Sequence, residues 1–294
     1  MKTMLKKTKS GKLLEIDYYP AWDSGKAIPS RVPKRKRSTE EQIRYNRKQT
    51  VKKIVRLVNA NFDHTDILMH PTYIQEYAPE TEEEARKDMV NYLRRVKSWR
   101  ASELKRLLKE PETERIKAKI KKLMQPLKYI YVIEKVVYKS GKKKGKTNFH
   151  FHLFLTGSGA GDRDQYESMW RNGVRVNADR FQPDKFGPES AAVYISKDPE
   201  GTRRFACSKN LKKPEVKPPR NAVLTKAGME RVAKERVDDA AYWERKHKGY
   251  RFMKCYSRYN PYNGCWYASV IMYKTDGDPP EWNMPDWADE GECA

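Results

Sequence analysis

The sequence has few of the residues and patterns that mark several large classes of protein. Its 294 residues include four cysteines, Cys207, Cys255, Cys265 and Cys293, and none of them forms a Cys-x-x-Cys pair. This spacing argues against a zinc finger and against a secreted, disulfide-linked fold, so we expect reduced thiols. No segment approaches the ~18 consecutive apolar residues of a membrane-spanning helix. The basic segments also lack the strongly apolar face that membrane-surface helices need.

Two further signals are missing. Lysines occur near the start of the chain, but no apolar run follows them, so we expect no secretory signal and a cytoplasmic location. A Gly-x-x-x-x-Gly-Lys-Ser/Thr motif is also missing, so we expect no built-in P-loop helicase. We found no internal repeat.

Acidic residues are scarce relative to basic ones. The chain has 62 lysines and arginines against 39 aspartates and glutamates, a formal net charge of +23. Solubility does not require so large an excess, and the simplest physical reason for it is a polyanionic partner. A hydrophobic content of 38% is sufficient for a buried core. The composition therefore predicts a globular protein that binds nucleic acid rather than a membrane.

The chain order predicts four regions. Residues 1–40 are polar and broken by glycine and proline, which favours a flexible basic arm. Residues 41–214 alternate helical and strand patterns and form the expected main domain. Residues 215–276 suggest one charged helix and a β-hairpin that pack on or extend that domain. Residues 277–294 form an acidic tail.

Two of only five histidines lie two positions apart in an apolar run. The run is Asn148-Phe149-His150-Phe151-His152-Leu153-Phe154-Leu155-Thr156. In a strand, alternate side chains point to opposite faces, so both imidazoles share a face and the intervening apolar residues share the other. Such a pair is typical of a metal site, although packed or surface histidines show the same spacing. Histidine-triad hydrolases need a further histidine at position 154, where this chain has phenylalanine.

A carboxylate in the preceding strand is the natural third metal ligand. Residues 127–137 predict a strand that pairs with the histidine strand through a lysine-rich tip. If the residue numbers of cross-strand partners add up to 284 or 286, Glu134 lies opposite His150 or His152, respectively, and its side chain is on the same face of the sheet. Imidazole and carboxylate donors suit Mg²⁺ or Mn²⁺ acting on phosphate, and Zn²⁺ is a further option.

A tyrosine and a lysine further along the chain form a candidate nucleophile. Tyr194-x-x-Lys197 places a phenol and an ammonium on one face of a predicted short helix. The lysine favours the ionised phenol and is positioned to contact a phosphate. Tyr45-x-x-Lys48 has the same spacing upstream, and for either motif taken alone a packed tyrosine beside a solvated lysine is the simpler interpretation.

Taken together, Glu134, His150-Phe151-His152 and Tyr194-x-x-Lys197 resemble, in this order, the HUH endonucleases of the rolling-circle replication initiator (Rep) class. Plasmids and single-stranded DNA phages encode such proteins. The likeness covers roughly residues 52–214, and Trp170-Arg171-Asn172-Gly173 and Ser208-Lys209-Asn210-Leu211 resemble segments of bacterial members. It departs from the family at Ile67–Tyr73, where Pro71 interrupts the first motif and His70 becomes a further candidate ligand.

The resemblance implies a fold, a site and a reaction. The fold is α+β, a central antiparallel sheet with flanking helices and an RRM-like core. His150, His152 and Glu134 are then the metal ligands, Tyr194 the nucleophile and Lys197 its helper. The implied reaction is site-specific nicking of single-stranded or locally melted origin DNA through a 5′-phosphotyrosyl link that frees a 3′-OH.

Partners and alternatives follow from the same residues. A host helicase and a DNA polymerase would complete replication, and a single motif tyrosine would require a second subunit, turnover or nucleophile for termination. We expect phosphate contacts from a group of basic residues, Lys142, Lys143, Lys144, Lys146, Arg35, Lys36 and Arg37. The alternatives are a conjugative relaxase using Tyr45, a transposase of the same superfamily, and a non-catalytic nucleic-acid-binding protein.

Overall fold

The computed structural model describes residues 1–22, 40–138, 145–173, 176–181 and 205–275. The described residues form an α+β fold with two antiparallel sheets, which confirms the predicted class. The chain divides into two compact units. We call residues 1–48, 184–190 and 213–294 the terminal unit, and residues 49–183 and 191–212 the central unit.

The helices of the described residues are α1 (Glu40–Asn61), α2 (Glu82–Leu107), α3 (Glu114–Met124), α4 (Asp162–Ser168), α5 (Lys226–Glu235) and α6 (Ala240–Lys246). The strands are β1 (Lys2–Ser10), β2 (Leu13–Ala21), β3 (Ile67–Pro71), β4 (Tyr129–Val137), β5 (Thr147–Leu155), β6 (Val176–Arg180), β7 (Ala206–Cys207), β8 (Glu215–Val216), β9 (Arg220–Asn221), β10 (Tyr250–Asn260) and β11 (Cys265–Lys274). Within these ranges, no helix is long and apolar enough to cross a membrane.

The sheet of the central unit has the strand order β6-β3-β5-β4-β7, with β5 in the middle. Helix α2 begins with a capping box, in which the Thr81 side chain accepts from the Glu84 backbone and the Glu84 carboxylate accepts from the Thr81 backbone. Its apolar residues recur at helical spacing and pack on one sheet face. The packed residues include Met89, Tyr92, Val96, Met69, Tyr131, Phe151 and Leu153.

The Arg100 side chain connects α2 to the end of α3 and to the segment that follows β5. Its guanidinium is almost fully buried and donates to the carbonyl oxygens of Lys122 and Gln125 at the end of α3, each at 2.9 Å. It also donates to the Gly157 carbonyl at 3.3 Å and the Tyr166 hydroxyl at 3.1 Å. Because the last carbonyls of a helix lack intrahelical donors, Arg100 supplies what the end of α3 needs.

The sheet of the terminal unit corrects the prediction of a flexible basic arm for residues 2–21, while residues 23–39 lie outside the described ranges. Strands β1 and β2 pair with each other over residues 2–21, and β2 pairs with β11 from the far end of the chain. The order is β10-β11-β2-β1-β8, with β9 also paired to β1. Helices α5 and α6 cover one face, and the shared core includes Leu5, Ile16, Tyr18, Met229, Val232, Trp243, Val270 and Met272.

Smaller differences follow from local chemistry. The single helix predicted over residues 225–246 is two helices, because Asp239 caps α6 by accepting from the Tyr242 backbone. The helix predicted at Glu189–Lys197 lies outside the described residues.

Candidate functional site

Strand β5 carries the histidine pair on a rigid support. Phe149, Phe151, Leu153 and Leu155 are buried in the core beneath α2. The imidazoles of His150 and His152 lie on the opposite face, as the alternation of a strand predicts. Further along that face, Phe154 packs against Phe62 and Phe181, with ring centroids 5.6 and 5.2 Å apart. The apolar end of this face is therefore covered by aromatic rings, whereas its histidine end is only partly buried.

Glu134 on β4 occupies the position that an even register predicts. It lies directly opposite His150, in a ladder whose paired positions sum to 284, and Val132 lies opposite His152. Its carboxylate reaches diagonally, so that Oε2 is 3.0 Å from Nε2 of His152. The Glu134 side chain is 44% exposed, while that of His152 is 11% exposed. The carboxylate thus stands at the accessible edge of a largely buried imidazole.

His70 on β3 completes a row of side chains across three strands. The register of β3 against β5 places it across from His152, and the two Nδ1 atoms are 2.9 Å apart. With neutral rings, His70 donates from Nδ1 to Nδ1 of His152, and His152 donates from Nε2 to Glu134. Thr72 forms the next bridge, opposite His150. The candidate ligand His70 therefore contacts the predicted site directly.

The electrostatic surroundings keep two of the imidazoles neutral. Burial lowers the pKa of His70 to about 4, and the neighbouring His152 adds to this effect. Burial also lowers the pKa of His150, although Glu134 opposes part of the shift. A neutral imidazole carries a nitrogen lone pair, which is the form that binds a metal ion. Near neutral pH both side chains are thus in the ligand form.

The segment Trp170-Arg171-Asn172-Gly173 holds the end of β3 beside β5. The Trp170 indole donates to the Thr72 carbonyl at 2.8 Å, and the Ile74 backbone donates to the Asn172 carbonyl at 3.1 Å. A Cβ atom on Gly173 would lie 1.9 Å from the Thr72 oxygen, so only glycine fits this approach. The segment therefore fixes where Thr72 and His70 stand relative to the histidine strand.

The donor types fit a divalent metal, but they are arranged as a hydrogen-bonded series. Three imidazoles and one carboxylate share one sheet face, a set that suits Mn²⁺ or Zn²⁺ and, through Glu134, Mg²⁺. Both ring nitrogens of His152 face other side chains, His70 and Glu134. Across the part of the chain that the structure describes, no group of three or more His, Cys, Asp or Glu side chains is arranged to hold a metal ion. A bound ion would replace hydrogen bonds of this series.

Several predicted residues fall outside the described ranges. They are Tyr194, Lys197, Lys142, Lys143, Lys144, Arg35, Lys36 and Arg37. Lys146 is described and exposed, and its carbonyl accepts from the Tyr138 backbone at 3.1 Å at the base of the β4–β5 hairpin. The rival nucleophile Tyr45 is 57% exposed on α1 and belongs to the terminal unit.

One acidic residue that lies near the site, Asp179, was not predicted from the sequence. Asp179 on β6 lies opposite Leu68 and raises the pKa of His70, against the larger effect of burial. Its carboxylate also accepts from Arg163 at 3.1 Å. The signal in the sequence was the alternation of apolar Val176 and Ala178 with polar Asn177 and Asp179, which predicts a strand. In the structure Ala178 is fully buried.

Comparison with known proteins found no matching family model, no matching curated protein and no matching solved structure.

Proposed function

We propose that the protein is a metal-dependent endonuclease that nicks single-stranded or locally melted DNA and initiates rolling-circle replication. The observation that carries the proposal is the convergence of His70, His150, His152 and Glu134 on one partly accessible sheet face. The sequence predicts His150, His152 and Glu134 as metal ligands and offers His70 as a further candidate. The net charge of +23 supports a polyanionic substrate.

The residues of the chain have distinct roles in this reaction. His150, His152 and Glu134 would hold the metal ion, and His70 would join them or orient His152 through its Nδ1 contact. When bound, the ion polarises a phosphoryl oxygen and neutralises charge. The Tyr194 hydroxyl oxygen attacks phosphorus as the phenol loses its proton, and Lys197 stabilises the phenolate. The bond to the 3′ oxygen breaks, this oxygen takes up a proton, and the 5′ phosphate remains on Tyr194.

The test is capture of a covalent protein–DNA adduct. The protein is incubated with Mn²⁺ and a fluorescent pool of single-stranded oligonucleotides of randomised sequence, and adducts are resolved by denaturing electrophoresis and mapped by mass spectrometry. We expect an adduct on Tyr194 that disappears with EDTA and in Tyr194→Phe. The matched control Tyr45→Phe should retain it.

Other outcomes assign the protein differently. An adduct that survives Tyr194→Phe and disappears in Tyr45→Phe would identify the relaxase order of residues. Absence of any adduct, together with salt-dependent binding that EDTA leaves unchanged, would favour the non-catalytic nucleic-acid-binding protein. The hydrogen-bonded series His70–His152–Glu134 favours the non-catalytic protein as the second candidate function, because these side chains satisfy each other's hydrogen bonds without a metal.

A further inference from the structure

The hairpin formed by β10 and β11 differs in composition from the rest of the chain. Residues 250–275 contain eight aromatic residues, four lysines or arginines, and no aspartate or glutamate. Aromatic residues make up 11% of the whole sequence, so the hairpin is enriched about threefold. Tyr250, Phe252 and Trp266 pack against the core of the terminal unit, so packing accounts for three of the eight rings and leaves five to explain.

The two faces of the hairpin have different environments. Cys255, Ala268 and Val270 lie on the face that joins the core beneath α5 and α6. On the other face, the register places Lys254 opposite Ile271, Tyr256 opposite Ser269, and Arg258 opposite Tyr267. On β2, Glu15 lies opposite Ile271 and Asp17 lies opposite Ser269, so both acidic residues stand beside the proximal part of this face. Pairing of β11 with β2 stops at Ala268, so the distal part of the hairpin is paired only within itself.

The side chains of this second face combine aromatic rings with cations. The Lys254 Nζ atom lies 5.3 Å from the Tyr256 ring centroid, and the Arg258 guanidinium carbon lies 5.3 Å from that of Tyr267. Tyr256 is 57% exposed, and Tyr262 at the tip is 99% exposed. We call Lys254, Tyr256, Arg258, Tyr262 and Tyr267 the aromatic–basic face.

Exposed rings beside cations match the chemistry of a nucleic acid strand whose bases are unpaired. Bases stack on aromatic rings, and lysine and arginine neutralise the phosphates between them. The bases of a duplex already stack on each other, so they are not available to stack on protein rings, whereas unpaired bases are. The two carboxylates in register with this face, Glu15 and Asp17, both lie at its proximal end, where Asp17 accepts a hydrogen bond from Ser269 at 2.6 Å. The distal end therefore combines positive charge with exposed rings.

We propose that the aromatic–basic face binds single-stranded DNA, as a second contact surface on the terminal unit that is separate from the histidine site of the central unit. The choice of DNA rests on the proposed nicking function, because a nickase must hold a strand whose bases are unpaired. The binding itself needs no metal and no catalysis.

The test measures binding without cleavage. The full chain, in EDTA, is titrated into a fluorescein-labelled oligothymidylate, and its dissociation constant is followed by fluorescence anisotropy. We expect Tyr256→Ala and Tyr262→Ala each to weaken binding at least about fivefold, the size that one stacked base contributes. Arg258→Gln should weaken binding and lower the slope of log affinity against log salt by about one.

Matched variants separate stacking from folding and from general charge. Tyr256→Phe keeps the ring and should bind like the unaltered protein. Lys248→Gln removes one exposed charge just before β10 and should change the affinity less than Arg258→Gln does. Because Tyr262 is almost fully exposed, its truncation tests the face even if another variant fails to fold.

Three results would overturn the proposal: unchanged affinity in both alanine variants, an equal loss in Lys248→Gln and Arg258→Gln, or tighter binding of duplex DNA or oligouridylate. The same variants in the Mn²⁺ adduct assay keep the two proposals apart. Adduct formation with unchanged binding in the variants rejects only this face. Weakened binding in the variants, with no adduct from the unaltered protein, rejects only the nickase.

Discussion

His152 is the side chain on which the candidate site depends. One of its ring nitrogens contacts His70 and the other contacts Glu134, so it connects β3 with β4 through the middle strand β5. A side chain fixed from both sides keeps one orientation, which is the preorganisation that a metal ligand requires. The two neighbours therefore matter as much to the site as the histidine itself.

Removal of His70 tests this dependence. We expect His70→Ala to weaken Mn²⁺ binding by roughly tenfold or more, because His152 loses the partner that orients it. Binding is measured by titration with Mn²⁺ under electron paramagnetic resonance. His64→Ala, at an exposed turn in the same unit, removes a histidine without touching the site and should bind as before. Equal affinities in all three proteins would contradict a role for His70.

His247 predicts how the stability of the terminal unit depends on pH. Burial lowers its pKa to about 4, and the charges of Lys7, Lys246 and Arg220 act in the same direction. Its Nδ1 accepts from the Lys7 ammonium at 3.3 Å, a contact that protonation removes. The folded state therefore favours neutral His247. Its contribution is complete above pH ~6.5, the pKa of an unperturbed histidine, and is lost as the pH falls toward 4.

Because the ring is only partly buried, we expect the loss to be on the order of 1–2 kcal/mol. It is measured as the fall in the free energy of unfolding by urea between pH 7 and pH 4.5. His247→Gln should flatten this dependence. A dependence that persists fully in His247→Gln would assign it to other groups.

Among the elements, α2 is the one that fixes several others. Its apolar side packs on the central sheet, and Arg100 closes the end of α3. A buried guanidinium that donates to several carbonyls is expensive to remove, because those oxygens are left without donors.

We therefore expect Arg100→Met to lower the free energy of unfolding of the central unit by about 3 kcal/mol. Arg94→Met is the matched control, since Arg94 is exposed on the same helix and should change stability by less than about 0.5 kcal/mol. Urea unfolding followed by circular dichroism compares the two. A similar loss in both variants would show that general charge on α2 matters, rather than the buried contacts of Arg100.

The sequence predicted local elements better than distant pairings. The β4–β5 hairpin and the even register of Glu134 depend on residues close in the chain, and both are present in the structure. Contact between His70 and His152 requires β3 to lie beside β5, which a periodic pattern does not encode. This contact was therefore left open in the sequence.

At the scale of the whole molecule, the largest error concerns the N-terminal segment. Its strand β1 is rich in lysine and threonine and has no apolar run, so it resembles a disordered arm. What makes it a strand is pairing with β2, which in turn pairs with β11. Composition alone predicts a high charge and a polyanionic partner, but it does not indicate where opposite ends of a chain meet.

The pairing of β2 with β11 also affects the order in which the protein folds. Asp17 and Ser269, which hydrogen bond across these strands, are 252 positions apart. During synthesis, the described strands of the central unit all leave the ribosome before β11 does. Strand β2 can pair with β11 only after almost the entire chain has been synthesised. Closing so long a loop carries a large entropic cost. We expect the terminal sheet to form last, and a ribosome-bound chain that stops before β11 to expose one edge of the β1–β2 hairpin.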